Sequence, residues 1–155
     1  MEISELISPE FVFARMKAAG KRQILQELSE KAAKATGLPQ QRVFETLYER
    51  ERLGSTAMGH GVAIPHGHLD GVQKMTGLFA QLATPIDFEA VDEQNVDLIF
   101  LLLAPIGAGA DHLKALARVS RLLRNQSLCD KLRAAEDAGA LFALLTEPTA
   151  SPQAA

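Results

Sequence analysis

The chain is poor in the features that would tie it down from outside its own core. One cysteine, Cys129, stands in 155 residues, so no internal disulfide can form. At this length a single domain buries most of its apolar surface without cross-links or metals. Cys129 lies in SLCDKLRAA, a helical stretch where a small buried apolar role suits it better than a reactive thiol. No apolar run is long enough to span a bilayer, the longest being Leu98 to Pro105. The start, MEISELISPEF, lacks the basic and apolar segments of a secretion signal, so the expected location is the cytoplasm. Charge of one sign is also lacking: 16 basic and 19 acidic residues are mixed along the chain, with a formal net charge of -3. Without a basic stripe, nucleic-acid binding has no support.

Several catalytic signatures are missing as well. There is no G-x-S-x-G elbow, no Walker A sequence and no G-x-G-x-x-G after a strand. The four histidines, His60, His66, His68 and His112, could in principle bind zinc or copper. Their spacing does not suit it: His66 and His68 flank a glycine just after a proline, and no Cys or Asp-His cluster completes a set. We therefore expect no metal and no nucleotide cofactor.

Apolar residues make up 47% of the chain and charged residues 23%, as in ordinary globular proteins. Ser8-Pro9-Glu10 has the form of a helix start, and a short helix is expected through about Met16. Residues 21–36 carry Ile24, Leu25, Leu28, Ala32 and Ala35 on one stripe, closed by Gly37. A third helix is expected from Pro39 to about Arg50. Strands follow at Val62-Ala63-Ile64, at 75–83 and at 96–103, the last apolar on both faces and so central. Residues 84–95 between them read as a polar turn region. Helical period returns over 112–124, with Leu113, Leu116, Ala117 and Leu123 expected inward, and two short helices follow at about 127–135 and 138–146. The pattern predicts one α/β domain over 1–147, a small mixed sheet flanked by helices on both sides, with a disordered tail over 148–155.

The segment that carries chemistry is GHGVAIPHGHLDG, residues 59–71. Pro65 and Gly67 flank His66, so a rigid turn is expected to present it. A neutral imidazole is a nucleophile toward phosphorus near pH 7. The residues alone leave open a histidine at a strand end with a satisfied hydrogen bond.

Residues 50–67, RERLGSTAMGHGVAIPHG, resemble the active-site segment of the fructose/mannitol-type enzyme IIA (EIIA) family of the bacterial phosphoenolpyruvate-dependent phosphotransferase system. The N-terminal helices, the LIFLLLAP strand and the DHLKALARVSRLL helix stand in family order. The resemblance is greatest to the stand-alone, nitrogen-related regulatory branch. It implies that His66 is phosphorylated, on Nε2, by the phosphohistidine of an HPr-like carrier. It implies that Arg50, sixteen residues earlier, steadies the phosphoryl group, and that His112 bonds its oxygens or orients His66. The two imidazoles should then lie within about 6 Å of each other. Implied partners are the HPr-like donor and regulatory targets tied to nitrogen metabolism and potassium transport, a sensor kinase or potassium transporter among them. The alternatives are a sugar-specific EIIA passing phosphate to an EIIB of a fructose/mannitol permease, and a protein-binding module that is never phosphorylated. Two positions depart from the family pattern, His60 where Asn is usual and His68 where Lys is frequent, and neither is placed in the catalytic set. Ser55 and Thr56 are expected to bond the loop backbone.

Overall fold

Residues 96–104, apolar on both faces, form the middle of a six-stranded mixed sheet. The computed structural model describes residues 1–147. In chain order these hold α1 (Ile3–Leu6), a 3-10 turn (Pro9–Phe11), β1 (Val12–Met16), α2 (Lys21–Thr36), α3 (Gln40–Arg52), β2 (Ala57–Gly59), β3 (Val62–Ala63), β4 (His66–His68), β5 (Thr76–Ile86), β6 (Val96–Ala104), α4 (Gly109–Leu123), α5 (Gln126–Ala134) and α6 (Ala138–Thr146). The sheet runs β1-β5-β6-β3-β2, with β4 also paired to β6. β5 and β6 are antiparallel, whereas β1 lies parallel to β5 and both β3 and β4 lie parallel to β6.

Because side chains alternate along a strand, β6 feeds two cores. Ile99, Leu101 and Leu103 meet Leu25, Leu28 and Leu47 of α2 and α3. Leu98, Phe100 and Leu102 meet Ala115, Leu132 and Leu141 from α4, α5 and α6. Helices on both sides and a mixed sheet match the expected α/β class.

Three expectations need correction. The helix predicted from Pro9 to Met16 is a single 3-10 turn followed by an edge strand. Val12, only 3% exposed, pairs with Phe79, and Phe13 with Ala80, so long-range pairing overrides the local helical spacing. On α4 the buried face is His112, Ala115, Val119 and Leu123, while Leu113 is 70% exposed and Ala117 is exposed. Strand β5 also continues through Ile86, opposite Val96, into the region read as a turn. The expected tail over 148–155 lies outside the described residues.

Candidate functional site

β3 and β4 are successive stretches of one chain segment laid along the same edge of β6, interrupted at Pro65. Proline has no N–H to give, yet the Pro65 carbonyl still accepts from the Leu102 amide at 2.9 Å. Chain direction is therefore kept, and His66 pairs with Leu102. His66 thus sits on a strand, not on the turn expected of it. Gly67 lies in the same strand, and its glycine is needed for space: a Cβ there would stand 2.7 Å from Thr46 Cγ2 of α3. Gly67→Ala is expected to lower stability by about 1–3 kcal/mol through this overlap. Urea unfolding should recover most of the loss in the Gly67→Ala/Thr46→Ser double variant, in which the offending methyl is absent.

The Nδ1 of His66 lies 2.8 Å from the Ile64 carbonyl. A carbonyl only accepts, so Nδ1 holds the hydrogen and Nε2 carries the free lone pair. Burial lowers the pKa of the half-buried ring, with the nearby Arg50 charge as a smaller cause, and these outweigh the Ile64 bond, which acts the other way. The imidazole is consequently neutral, and nucleophilic, at pH 7.

His112, in the first turns of α4, is 5% exposed. Its ring meets that of His66 edge-on, with centroids 5.3 Å apart. The Nδ1 of His112 lies 2.9 Å from Nε2 of His68, and its buried Nε2 has no hydrogen-bond partner among the described residues. Burial first, and then repulsion from His68 and His66, push its pKa down to about 4.

A depressed histidine pKa makes the folded state reject a proton that the unfolded chain accepts. The stabilisation is therefore present above pH 6.5 and is lost as the pH falls toward 4. For His112 the loss amounts to roughly 2–4 kcal/mol. Denaturant unfolding at the two ends of this range should show it, and His112→Leu should remove most of it, leaving the smaller same-sign contribution of His66.

Arg50 stands in the last turn of α3, its Nη1 donating to the Gly54 carbonyl at 2.8 Å. It shares an open cleft of about 550 Å³ with His66, His68 and His112, and the apolar Leu53 and Leu113 stand on its rim. Those two leucines are 85% and 70% exposed. Arg52, the other arginine of this helix end, pairs with Glu49 at 3.0 Å and lines a separate cleft with Lys21 and Tyr48.

The structure therefore brings together Arg50, His66 and His112, and adds His68. Alternation along a strand would have found His68, because residues i and i+2 share a face; a turn at Gly67 hides that relation. The remaining loop residues are structural. Ser55 Oγ donates to the Phe88 carbonyl at 2.7 Å, and the hydroxyl of Thr56 bonds the buried Glu51 carboxylate. His60, exposed at φ 56, donates its amide to Asp92 and does not line the cleft. Among the described residues no group of three or more His, Cys, Asp or Glu side chains is arranged for a metal ion, and no helix is long and apolar enough to cross a membrane.

Residues 5–147 match the family described as phosphoenolpyruvate-dependent sugar phosphotransferase system, EIIA 2. A nitrogen regulatory protein of Bradyrhizobium diazoefficiens is 56% identical over 151 residues, covering 97% of this chain and 99% of that protein. The nitrogen regulatory protein of Escherichia coli is 39% identical over 156 residues, covering 100% and 96%. The crystal structure of nitrogen regulatory protein IIA-Ntr from Neisseria meningitidis superposes with a TM-score of 0.88 at 35% identity, covering 93% of this chain and 99% of that one.

Proposed function

This chain belongs to the EIIA 2 family of the phosphoenolpyruvate-dependent sugar phosphotransferase system, and we propose that it accepts a phosphoryl group on Nε2 of His66 from the phosphohistidine of an HPr-like carrier. One observation carries the reading: the Ile64 carbonyl holds the hydrogen on Nδ1 of His66, which leaves Nε2 bare in a cleft that also holds a guanidinium and a second imidazole. The Nε2 lone pair attacks phosphorus, the new N–P bond forms as the donor's N–P bond breaks, and the donor imidazole keeps the electron pair. Transfer of this kind asks a protein for positioning and for positive or donor groups about the phosphoryl oxygens. Arg50 supplies a planar fork of donors with a fixed charge. His112 supplies a hydrogen-bond donor that does not compete for the phosphoryl group, since its ring is held in the cleft wall.

The exposed Leu53 and Leu113 give the donor an apolar rim to dock on, in keeping with the apolar centres of protein interfaces. Once in place, the phosphoryl group adds about two negative charges and new acceptors at that rim, enough to create or abolish a contact with another protein. The regulatory branch is favoured because the full-length relatives are nitrogen regulatory proteins. In this reading the protein acts in the cytoplasm, and its phosphorylation state adjusts targets linked to nitrogen metabolism and potassium transport.

The test is incubation of the purified protein with phosphoenolpyruvate, enzyme I and an HPr-type carrier, followed by intact mass spectrometry at neutral to alkaline pH. A gain of one acid-labile phosphate supports the reading. A folded protein that takes phosphate from no such carrier overturns it and leaves the cleft as a docking surface alone.

A further inference from the structure

We propose that His68 is a positioning residue that sets the tautomer of His112, donating its Nε2–H to His112 Nδ1 so that the hydrogen of His112 resides on the buried Nε2. The inference rests on the reading of His66 as the phosphoryl acceptor for its catalytic meaning, but not for its structural test.

One hydrogen bond, 2.9 Å long, joins His112 Nδ1 to His68 Nε2, and only one of those nitrogens can hold its hydrogen. His112 is buried and its pKa is pushed down to about 4, so near pH 7 the ring carries a single hydrogen. If that hydrogen sat on Nδ1, the buried Nε2 would be a bare lone pair, unable to donate to a phosphoryl oxygen. If His68 donates, Nε2 bears the hydrogen and is ready to bond an oxygen. His68 is exposed, and three forms are open to it: the Nε2–H tautomer, the Nδ1–H tautomer and the imidazolium. The first and third both donate through Nε2, and only the second cannot.

This arrangement also explains why a buried nitrogen of His112 has no partner among the described residues. Native proteins leave few such groups unsatisfied. A donor held in reserve for an anionic group that comes and goes is one of those few.

His68 thus acts through His112, as an outer partner fixes the tautomer of an inner histidine in other sites. Side chains of defined bonding capacity at position 68 separate this role from bulk or charge. Lysine only donates, glutamate at neutral pH only accepts, and glutamine is uncharged yet able to donate.

The experiment records long-range proton–nitrogen correlations of the imidazoles in the unphosphorylated protein, together with the rate of phosphate uptake from an HPr-type carrier. Wild type, His68→Lys and His68→Gln are expected to show His112 as the Nε2–H tautomer, with uptake rates within a few-fold of one another. His68→Glu should show the Nδ1–H tautomer and uptake slowed by about ten- to a hundredfold. A wild-type His112 with its hydrogen on Nδ1, or a tautomer unchanged in His68→Glu, would overturn the proposal. Should the tautomers follow expectation while wild type takes up no phosphate, the reading of His66 fails and control of His112 by His68 stands.

Discussion

His66→Ala abolishes phosphate uptake completely, leaving the intact mass of the protein unchanged after exposure to phosphorylated carrier. The reason is the loss of the nucleophile itself: neither neighbouring histidine has a free, correctly disposed lone pair to take over. In the preferred tautomer His112 carries its lone pair on Nδ1, bonded to His68, and the lone pair of neutral His68 is then on its Nδ1, the ring nitrogen beside its own backbone, and not on the Nε2 that reaches His112. The variant should still fold, because His66 is half-buried and contributes one side-chain bond to a carbonyl. Far-ultraviolet circular dichroism would confirm that the loss is chemical.

The pH dependence of wild type carries the same signature. The reactive form is the neutral ring, and burial holds the His66 pKa below 6.5. Uptake should therefore persist as the pH is lowered through 6.5 and decline only at more acid pH, with the carrier kept fully phosphorylated. A decline centred at or above pH 6.5 would mean that His66 is not desolvated in the way the structure shows.

The second large effect belongs to Arg50. Removing its guanidinium, in Arg50→Ala, takes away the one fixed positive charge that shares the cleft with His66 among the described residues, and uptake is expected to slow by about a hundredfold or more. Arg50→Lys keeps the charge but loses the fork, so an intermediate rate is expected. Arg52→Ala supplies the control: this side chain lines another cleft and reaches the histidine cleft only through its ion-pair partner Glu49, and its loss should leave the rate within a few-fold of wild type. Stopped transfer assays on the four proteins decide the matter. Equal losses in Arg50→Ala and Arg52→Ala would point to general surface charge instead of a located group.

How far these features could be read from the chain alone differs by element. α2 was legible because its apolar stripe, its length and the closing Gly37, which adopts φ 76, all agree. β6 was legible because it is apolar on both faces, a pattern that demands cover on each side. β1 was not, since Val12, Phe13 and Met16 also suit a helical face and the partner that makes them a strand is β5, more than sixty residues away. Local sequence holds no record of that pairing.

The misreading of α4 has a functional cause. Apolarity alone selects Leu113 for the core, but the buried place next to it is taken by His112, and Leu113 turns out to the rim of the cleft. A fold obeying only hydrophobic pattern would do the reverse. Sequence reasoning fails here because the helix is set for a site as well as for a core.

For the site itself, the strand-proline-glycine surroundings mark His66 as a candidate but leave open a histidine at a strand end, whereas Arg50 is indistinguishable from Arg52 by composition and spacing. Only the resemblance to the family singled it out, and geometry then separates the two: one lines the histidine cleft, the other does not. His68 stays outside the set read from the sequence because it departs from the family pattern, where Lys is frequent, and the turn expected at Gly67 gives no reason to place it beside His66. With the segment extended as β4, His68 comes alongside His112.

The most direct test of the account is to phosphorylate the protein with its histidines labelled with nitrogen-15, under mildly alkaline conditions, and to record which ring nitrogen is coupled to phosphorus. The account predicts a single phosphohistidine, with one-bond coupling at Nε2 of His66 and its Nδ1 still protonated. Coupling at Nδ1 of His66, or at any nitrogen of His68 or His112, would contradict it.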